Sequence, residues 1–240
     1  MIQRPWLSRT EVLIGNDKLN VLEKAHVLVV GLGGVGSYAA EFIARSGVGN
    51  MTIVDGDKVE ASNRNRQLPA LFTTEGLMKA DIMRERLLAI NPDLKIEIVK
   101  SFVNPEEVEQ LLNFPYDYVI EAIDSITPKI TVISTAVKKG LKIVSSMGAG
   151  GKLDPTMLKV ADINDSHTCK LAFIVRKRLK RYGVSGGVKV VFSTEAVDKD
   201  SLLMTDGSNF KKSAYGTISY LPATFGSVCA SVVIRDLINN

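Results

Sequence analysis

Residues 25–36, AHVLVVGLGGVG, form an almost unbroken β-branched apolar run that ends in glycines. A strand covered on both faces of a parallel sheet has no wet side to alternate with, so this pattern predicts such a strand. A helix is expected from Val35 to about Ser46, and NMTIVD (50–55) repeats the strand pattern, closing a βαβ unit. LMKADIMRERLLAIN (77–91) has helical spacing and stops before Pro92, and KIEIVKSFV (95–103) alternates as a strand. PEEVEQLLNF (105–114) opens with proline and acids as a helix does, and YDYVIEAID (116–124) is the next buried strand. KITVISTAVKKG (129–140) reads as a helix with a glycine stop, followed by a strand in KIVSSMGAGG (142–151).

This alternation predicts an α/β fold, a doubly wound and mostly parallel sheet of the Rossmann type. Beyond residue 150 the signals become strand-like and irregular, with one basic helix between Cys169 and Tyr182. A chain of 240 residues can bury a sizeable core as one domain. Its expected parts are an N-terminal helical arm (1–24), a nucleotide-binding core (25–150) and a smaller strand-rich extension (151–240) carrying the basic helix. The uncharged run from Ser213 to Ile234 holds Pro222, Gly216 and Gly226, which points to a buried helix rather than a membrane span.

Composition adds little until charge is located. The chain is 45% hydrophobic and 23% charged, as in ordinary globular proteins. Of its net charge of +4, the stretch Lys159–Lys189 carries +6 and the remainder −2, so a polyanion docking on one face is expected. The two cysteines, Cys169 and Cys229, cannot build a four-thiolate zinc site or a disulfide framework. A reducing, cytoplasmic location is the simple reading, and no charged stretch followed by an apolar core opens the chain as a secretory leader would.

Gly31, Gly33 and Gly36 fit G-x-G-x-x-G between a strand and a helix, where backbone N–H groups can face a phosphate. Asp55 ends the second strand, where an acid that binds ribose belongs. These features leave NAD, FAD and ATP open. The stretch TIVDGDKVEASNRNRQ (52–67) narrows the choice. Hydride transfer gains nothing from cations beside the phosphates, and that reading leaves Arg66 and Lys79 without a task. Attack on a triphosphate builds negative charge that fixed cations stabilise, and Arg64, Arg66 and Lys79 are the candidates. Asp124, at the carboxyl end of YVIEAID, is placed to hold Mg²⁺ on the phosphates.

Taken in order, GLGGVGSYAAEFIARSGVGNMTIVDGDKVEASNRNRQ, GLMKAD and EAIDS resemble the E1-like adenylating superfamily, the ThiF/MoeB/HesA group. The resemblance implies that Gly31 and Gly33 lie by the nucleotide and that Asp55, with Asp57 beside it, serves the ribose end. It further implies that Asn63, Arg66 and Lys79 grip the phosphates and that Asp124 serves Mg²⁺. SRTEVLIG (8–15) is similar to the family segment whose arginine reaches across a homodimer, which makes Arg9 the candidate.

Within the superfamily, NRNRQLPAL, EAIDSITPK, GAGGKLDPT, KLAFIVRKRLKRYGV and VVFSTEA resemble the tRNA threonylcarbamoyladenosine dehydratase branch over residues 9–198. That likeness implies ATP-dependent closure of N6-threonylcarbamoyladenosine (t6A) in tRNA to cyclic t6A through a carboxyl-adenylate. No enzyme nucleophile is then needed, in keeping with the absence of CxxC pairs. The alternative is adenylation of the C-terminus of a ubiquitin-like or sulfur-carrier protein, and a sulfur-transfer system is a further candidate partner. In the basic helix, Leu171, Ile174, Val175, Leu179 and Tyr182 fall on one face. Lys170, Arg176, Lys177, Lys180 and Arg181 fall largely on others and are the expected tRNA contacts. Cys169 is a loose candidate for an accessible thiol, Cys229 a buried one, and His167 a polar-loop histidine.

Overall fold

The computed structural model describes residues 4–204 and 213–239. Residues 1–3 of the expected arm, and 205–212 and 240 of the expected extension, lie outside the described residues. Chain order runs through α1 (Ser8–Ile14), α2 (Asn16–Lys24), β1 (His26–Val30), α3 (Gly36–Arg45), β2 (Asn50–Val54), α4 (Lys79–Ile90) and β3 (Lys95–Val99). It continues with α5 (Pro105–Leu111), β4 (Tyr118–Glu121), α6 (Ile126–Lys138), β5 (Ile143–Ser146), β6 (Leu158–Asp162), α7 (Lys170–Leu179) and β7 (Lys189–Ser193). β8 (Leu202–Met204), β9 (Ser213–Tyr215) and α8 (Tyr220–Ile238) complete it.

Seven strands form one sheet in the order β3-β2-β1-β4-β5-β7-β6, parallel except for β6, which pairs antiparallel with β7 at the edge. β6 and β7, from the expected extension, thus lengthen the main sheet, while β8 and β9 make a separate hairpin. The apolar run of β1 has the predicted cause. Val27 and Val29 enter the core beneath α3 and α8, whereas Leu28 and Val30 enter the core beneath α5, α6 and α7. Each fully buried aliphatic side chain contributes about 1.5–3 kcal/mol, so β1 alone anchors both layers.

α8 passes the length and composition test for a membrane span, but half of that window is packed inside the protein, chiefly against α3. Gly226 permits this contact, because a Cβ there would stand 2.4 Å from the Val35 carbonyl oxygen. Pro222 is harmless in the first turn, where its missing N–H would have no helical partner.

Candidate functional site

β1 and β4 are neighbours, yet their following connections leave on opposite sides of the sheet, which opens a crevice at their carboxyl ends. The glycine loop after β1 forms one wall. Gly31 has φ +92°, and a Cβ on Gly36 would lie 1.8 Å from the Gly31 carbonyl oxygen, so the turn closes only with glycine at both positions. At Gly33 no internal packing imposes glycine. The nearest atom to a Cβ there is Gln67 Nε2 at 3.8 Å, leaving room for a ligand to approach the backbone.

Asp55 fastens this wall to the end of β2. Its Oδ2 accepts from Leu32 N–H at 2.6 Å and its Oδ1 from Asp57 N–H at 2.7 Å. Burial pushes the carboxyl above its usual range, opposed by the charge of Lys79 and by those two donors. Lys79, expected at the phosphates, is an ion-paired cation. It is buried, and its Nζ donates to Asp57 Oδ2 at 2.9 Å, so Asp57 and Lys79 enter the site as a pair.

The Asn63 side chain is also buried and locally committed, its Oδ1 accepting from Glu60 N–H at 3.1 Å. That bond caps the turn that presents Arg66. Arg66 is half-buried, its Nη1 donating to Ser62 O at 3.0 Å and Asn65 Oδ1 at 2.9 Å. Burial lowers its pKa while the charge of Asp124 raises it, so the field of Asp124 reaches this guanidinium. Asp124 is exposed just beyond β4. Arg64 points elsewhere, its guanidinium 5.7 Å from the ring centre of exposed Phe72.

Two features of this site escaped the sequence reading. Lys129 and Glu121 are fully buried, with Nζ 2.5 Å from Glu121 Oε2 and 2.8 Å from the Ser146 carbonyl. Glu121 Oε2 also accepts from Ser145 Oγ at 2.5 Å, and its Oε1 from Ile123 N–H at 2.7 Å. Burial pushes the Glu121 carboxyl up, against the attraction of Lys129 and these donors. This network braces the Ala122–Ser125 connection that carries Asp124. The available signal was one acid inside an apolar strand and one lysine inside an apolar helix, both beside the same loop. The second feature is Gln67, whose buried Oε1 lacks a hydrogen-bond partner next to the glycine loop.

Other expectations meet a different geometry. Leu7, just before α1, packs against Gly47 at the turn into β2, the edge of the sheet opposite the glycine loop. Arg9, two residues on, is therefore remote from its own chain's crevice. Arg4 pairs with Glu23, whereas Arg9 is exposed beside Val12 (87% exposed) and Leu13 (83%). Cys169 is buried at the head of α7 rather than accessible, because its side chain belongs to the core under that helix. Cys229 is buried as expected, and burial raises its thiol to about 12. His167 has its ring edge against Phe192 and its Nδ1 3.1 Å from Thr168 Oγ1.

The buried face of α7 is Ala172, Val175 and Leu179, with Tyr182 exposed past the helix end. The expected tRNA set divides accordingly. Lys170 sits at the crevice end, where Leu171 approaches Gly148 just beyond β5. Lys177, Lys180 and Arg181 are exposed at the far end. Arg176 turns inward, its Nη1 donating to the Ile163 and Ser166 carbonyls and to Ser166 Oγ, so its part is to hold that loop. Among the described residues no group of three His, Cys, Asp or Glu side chains could hold a metal ion by itself.

Residues 7–240 match the ThiF family. A tRNA threonylcarbamoyladenosine dehydratase of Bacillus subtilis is 39% identical across 97% of this chain and 94% of its own length. Its counterpart in Escherichia coli is 38% identical across 99% of this chain and 96% of its own. Crystal structures of the Escherichia coli dehydratase TcdA with AMP and with ATP superpose with a TM-score of 0.89, at 38% identity, covering 99% of this chain and 97% of theirs.

Proposed function

The chain belongs to the ThiF family, and we propose that it is an ATP-dependent tRNA threonylcarbamoyladenosine dehydratase. The observation that carries this reading is the place of Arg66, whose side chain stands against Gly34 of the glycine loop, within the field of Asp124 at the carboxyl end of β4. A triphosphate requires a fixed cation and an oxygen ligand there, and a nicotinamide requires neither.

In this reading the threonyl carboxylate of t6A attacks the α-phosphorus of ATP, and pyrophosphate departs. The ureido nitrogen of the same modification then attacks the acyl-adenylate carbon, AMP leaves with the C–O electron pair, and a hydantoin-type ring closes. The net change is loss of one water from t6A. The protein contributes position and fixed charge. Backbone N–H groups at Gly33 and Gly36 would face the phosphates, whereas the Gly31 N–H donates to the Val54 carbonyl at 2.8 Å, so Gly31 serves the turn itself. Asp55, with Asp57 beside it, would serve the ribose end, Asn63 holds the turn of Arg66, and Arg66 and the Asp57-paired Lys79 would stabilise charge on the phosphoryl oxygens. Mg²⁺ accompanying ATP would be held by Asp124, since that ion is commonly bound by one or two carboxylates together with phosphates. It would neutralise phosphate charge.

Val12 and Leu13 on α1 suit burial against a second copy, which would bring Arg9 to the partner's crevice. Lys170, Lys177, Lys180 and Arg181 are the proposed tRNA contacts, and a cytoplasmic location and a sulfur-transfer partner complete the reading. The test is mass spectrometry of nucleosides from t6A-containing tRNA after incubation with the protein, Mg²⁺ and ATP, under digestion mild enough to keep the ring. Loss of one water only with ATP is expected. Unchanged t6A with ATP binding intact would overturn the substrate and turn the search to a protein carboxylate.

A further inference from the structure

α6 leaves the crevice beside Asp124 and runs for 13 residues, about 20 Å at 1.5 Å each, to the opposite edge of the sheet. α7 runs beside it in the same sense. Its first turn is near Gly148 past the carboxyl end of β5, and its far end brings the Tyr182 ring to 5.9 Å from Lys138 Nζ, at the last turn of α6. The two helices therefore deliver Lys138, Lys177, Arg178, Lys180 and Arg181 to one exposed patch. Lys177, Lys180 and Arg181 stand three and four positions apart, close enough for like charges to repel. Among the described residues none of these five cations forms an ion pair. Neighbouring Lys139 is paired with Glu109, which shows that the fold provides acids where it neutralises a lysine. The patch thus gathers uncompensated positive charge about 20 Å from where the chemistry takes place.

Resting on the proposed dehydratase function, we propose that this patch, with Lys138 and Arg178 as members, grips the backbone of the double-helical stem that carries the modified loop. A separation of that size is roughly six or seven base pairs at ~3 Å of rise each, too far for the patch to touch the loop whose base enters the crevice. Phosphates of a stem are the polyanion that spans it. Contacts of this kind position without reading sequence, so the patch raises affinity for any stem of sufficient length and leaves the chemical step alone.

The experiment compares wild type with Lys138→Glu/Arg178→Glu on two t6A-bearing hairpins, with stems of three and of eight base pairs. On the long hairpin the variant is expected to lose tenfold or more in kcat/KM through KM, with kcat preserved. Its log–log salt dependence should be shallower by about 1.5, or roughly 0.7–0.9 for each phosphate that the protein ceases to neutralise. On the short hairpin the two proteins are expected to be equal, which also reports that the variant is folded. Equal losses on both hairpins would overturn the assignment to the stem. No loss on either would remove RNA from this patch and leave it to an acidic protein. A wild type that dehydrates neither hairpin would overturn the function on which the proposal stands.

Discussion

Replacing Lys129 by methionine keeps the length and packing of the side chain and deletes one buried charge. The lysine is fully buried, as is its partner Glu121, so no water replaces the lost cation. Glu121 would retain the donors Ser145 Oγ and Ile123 N–H, and these two do not neutralise a carboxylate. Breaking a buried pair from one side costs about 3–5 kcal/mol, against a typical total stability of about 5–15. The cost belongs to the charged form and therefore depends on pH. Without Lys129, burial holds the folded-state pKa of Glu121 above its unfolded value. The stability of the variant is then fully present below the unfolded pKa and falls as pH rises through the folded one. Urea unfolding at one protein concentration should show Lys129→Met closer to wild type at pH 5 than at pH 8, by at least ~1.4 kcal/mol. The companion Glu121→Gln/Lys129→Met removes both charges and should recover most of the loss at pH 8. An equal penalty at both pH values, or a double variant as weak as the single, would refute the argument that an uncompensated charge causes the cost.

Arg66→Ala should lower the rate of t6A-dependent AMP formation by about 10²–10³-fold while leaving the urea midpoint nearly unchanged, because its hydrogen bonds are local and partly exposed. Gly36→Ala places a Cβ 1.8 Å from the Gly31 carbonyl, so thermal melts should show a large destabilisation and no protection by ATP. Gly76→Ala meets no atom within 4 Å and only a backbone angle of +83°, so it should cost about 1 kcal/mol and keep ATP protection. Arg176→Ala should loosen the 163–166 turn, read as faster amide exchange there, with the salt slope of tRNA binding unchanged, since its Nη1 faces protein carbonyls.

The amino-acid sequence by itself determined the order of elements through β5 and the chemistry of the glycine loop. Both are local facts: a doubly buried strand must be continuously apolar, and a turn whose residues 31 and 36 nearly touch must be glycine. The carboxyl-end position of Asp124 followed from the same logic, because parallel strands all end at one edge. Only the tertiary structure decided which charges are free. Lys79 finds Asp57 across 22 residues, and Lys129 finds Glu121 and Ser146 beneath a loop. Partners brought together by folding leave no periodic mark along the chain. The same holds for the basic helix, where alternation with apolar residues announced the charge, but only the 163–166 turn drew Arg176 inward and only the packing of α7 on α6 brought its far end to Lys138. β6 and β7 read only as part of a strand-rich extension, because their strands are short and the run between them irregular, and pairing of β7 with β5, which no local pattern encodes, set them in the main sheet.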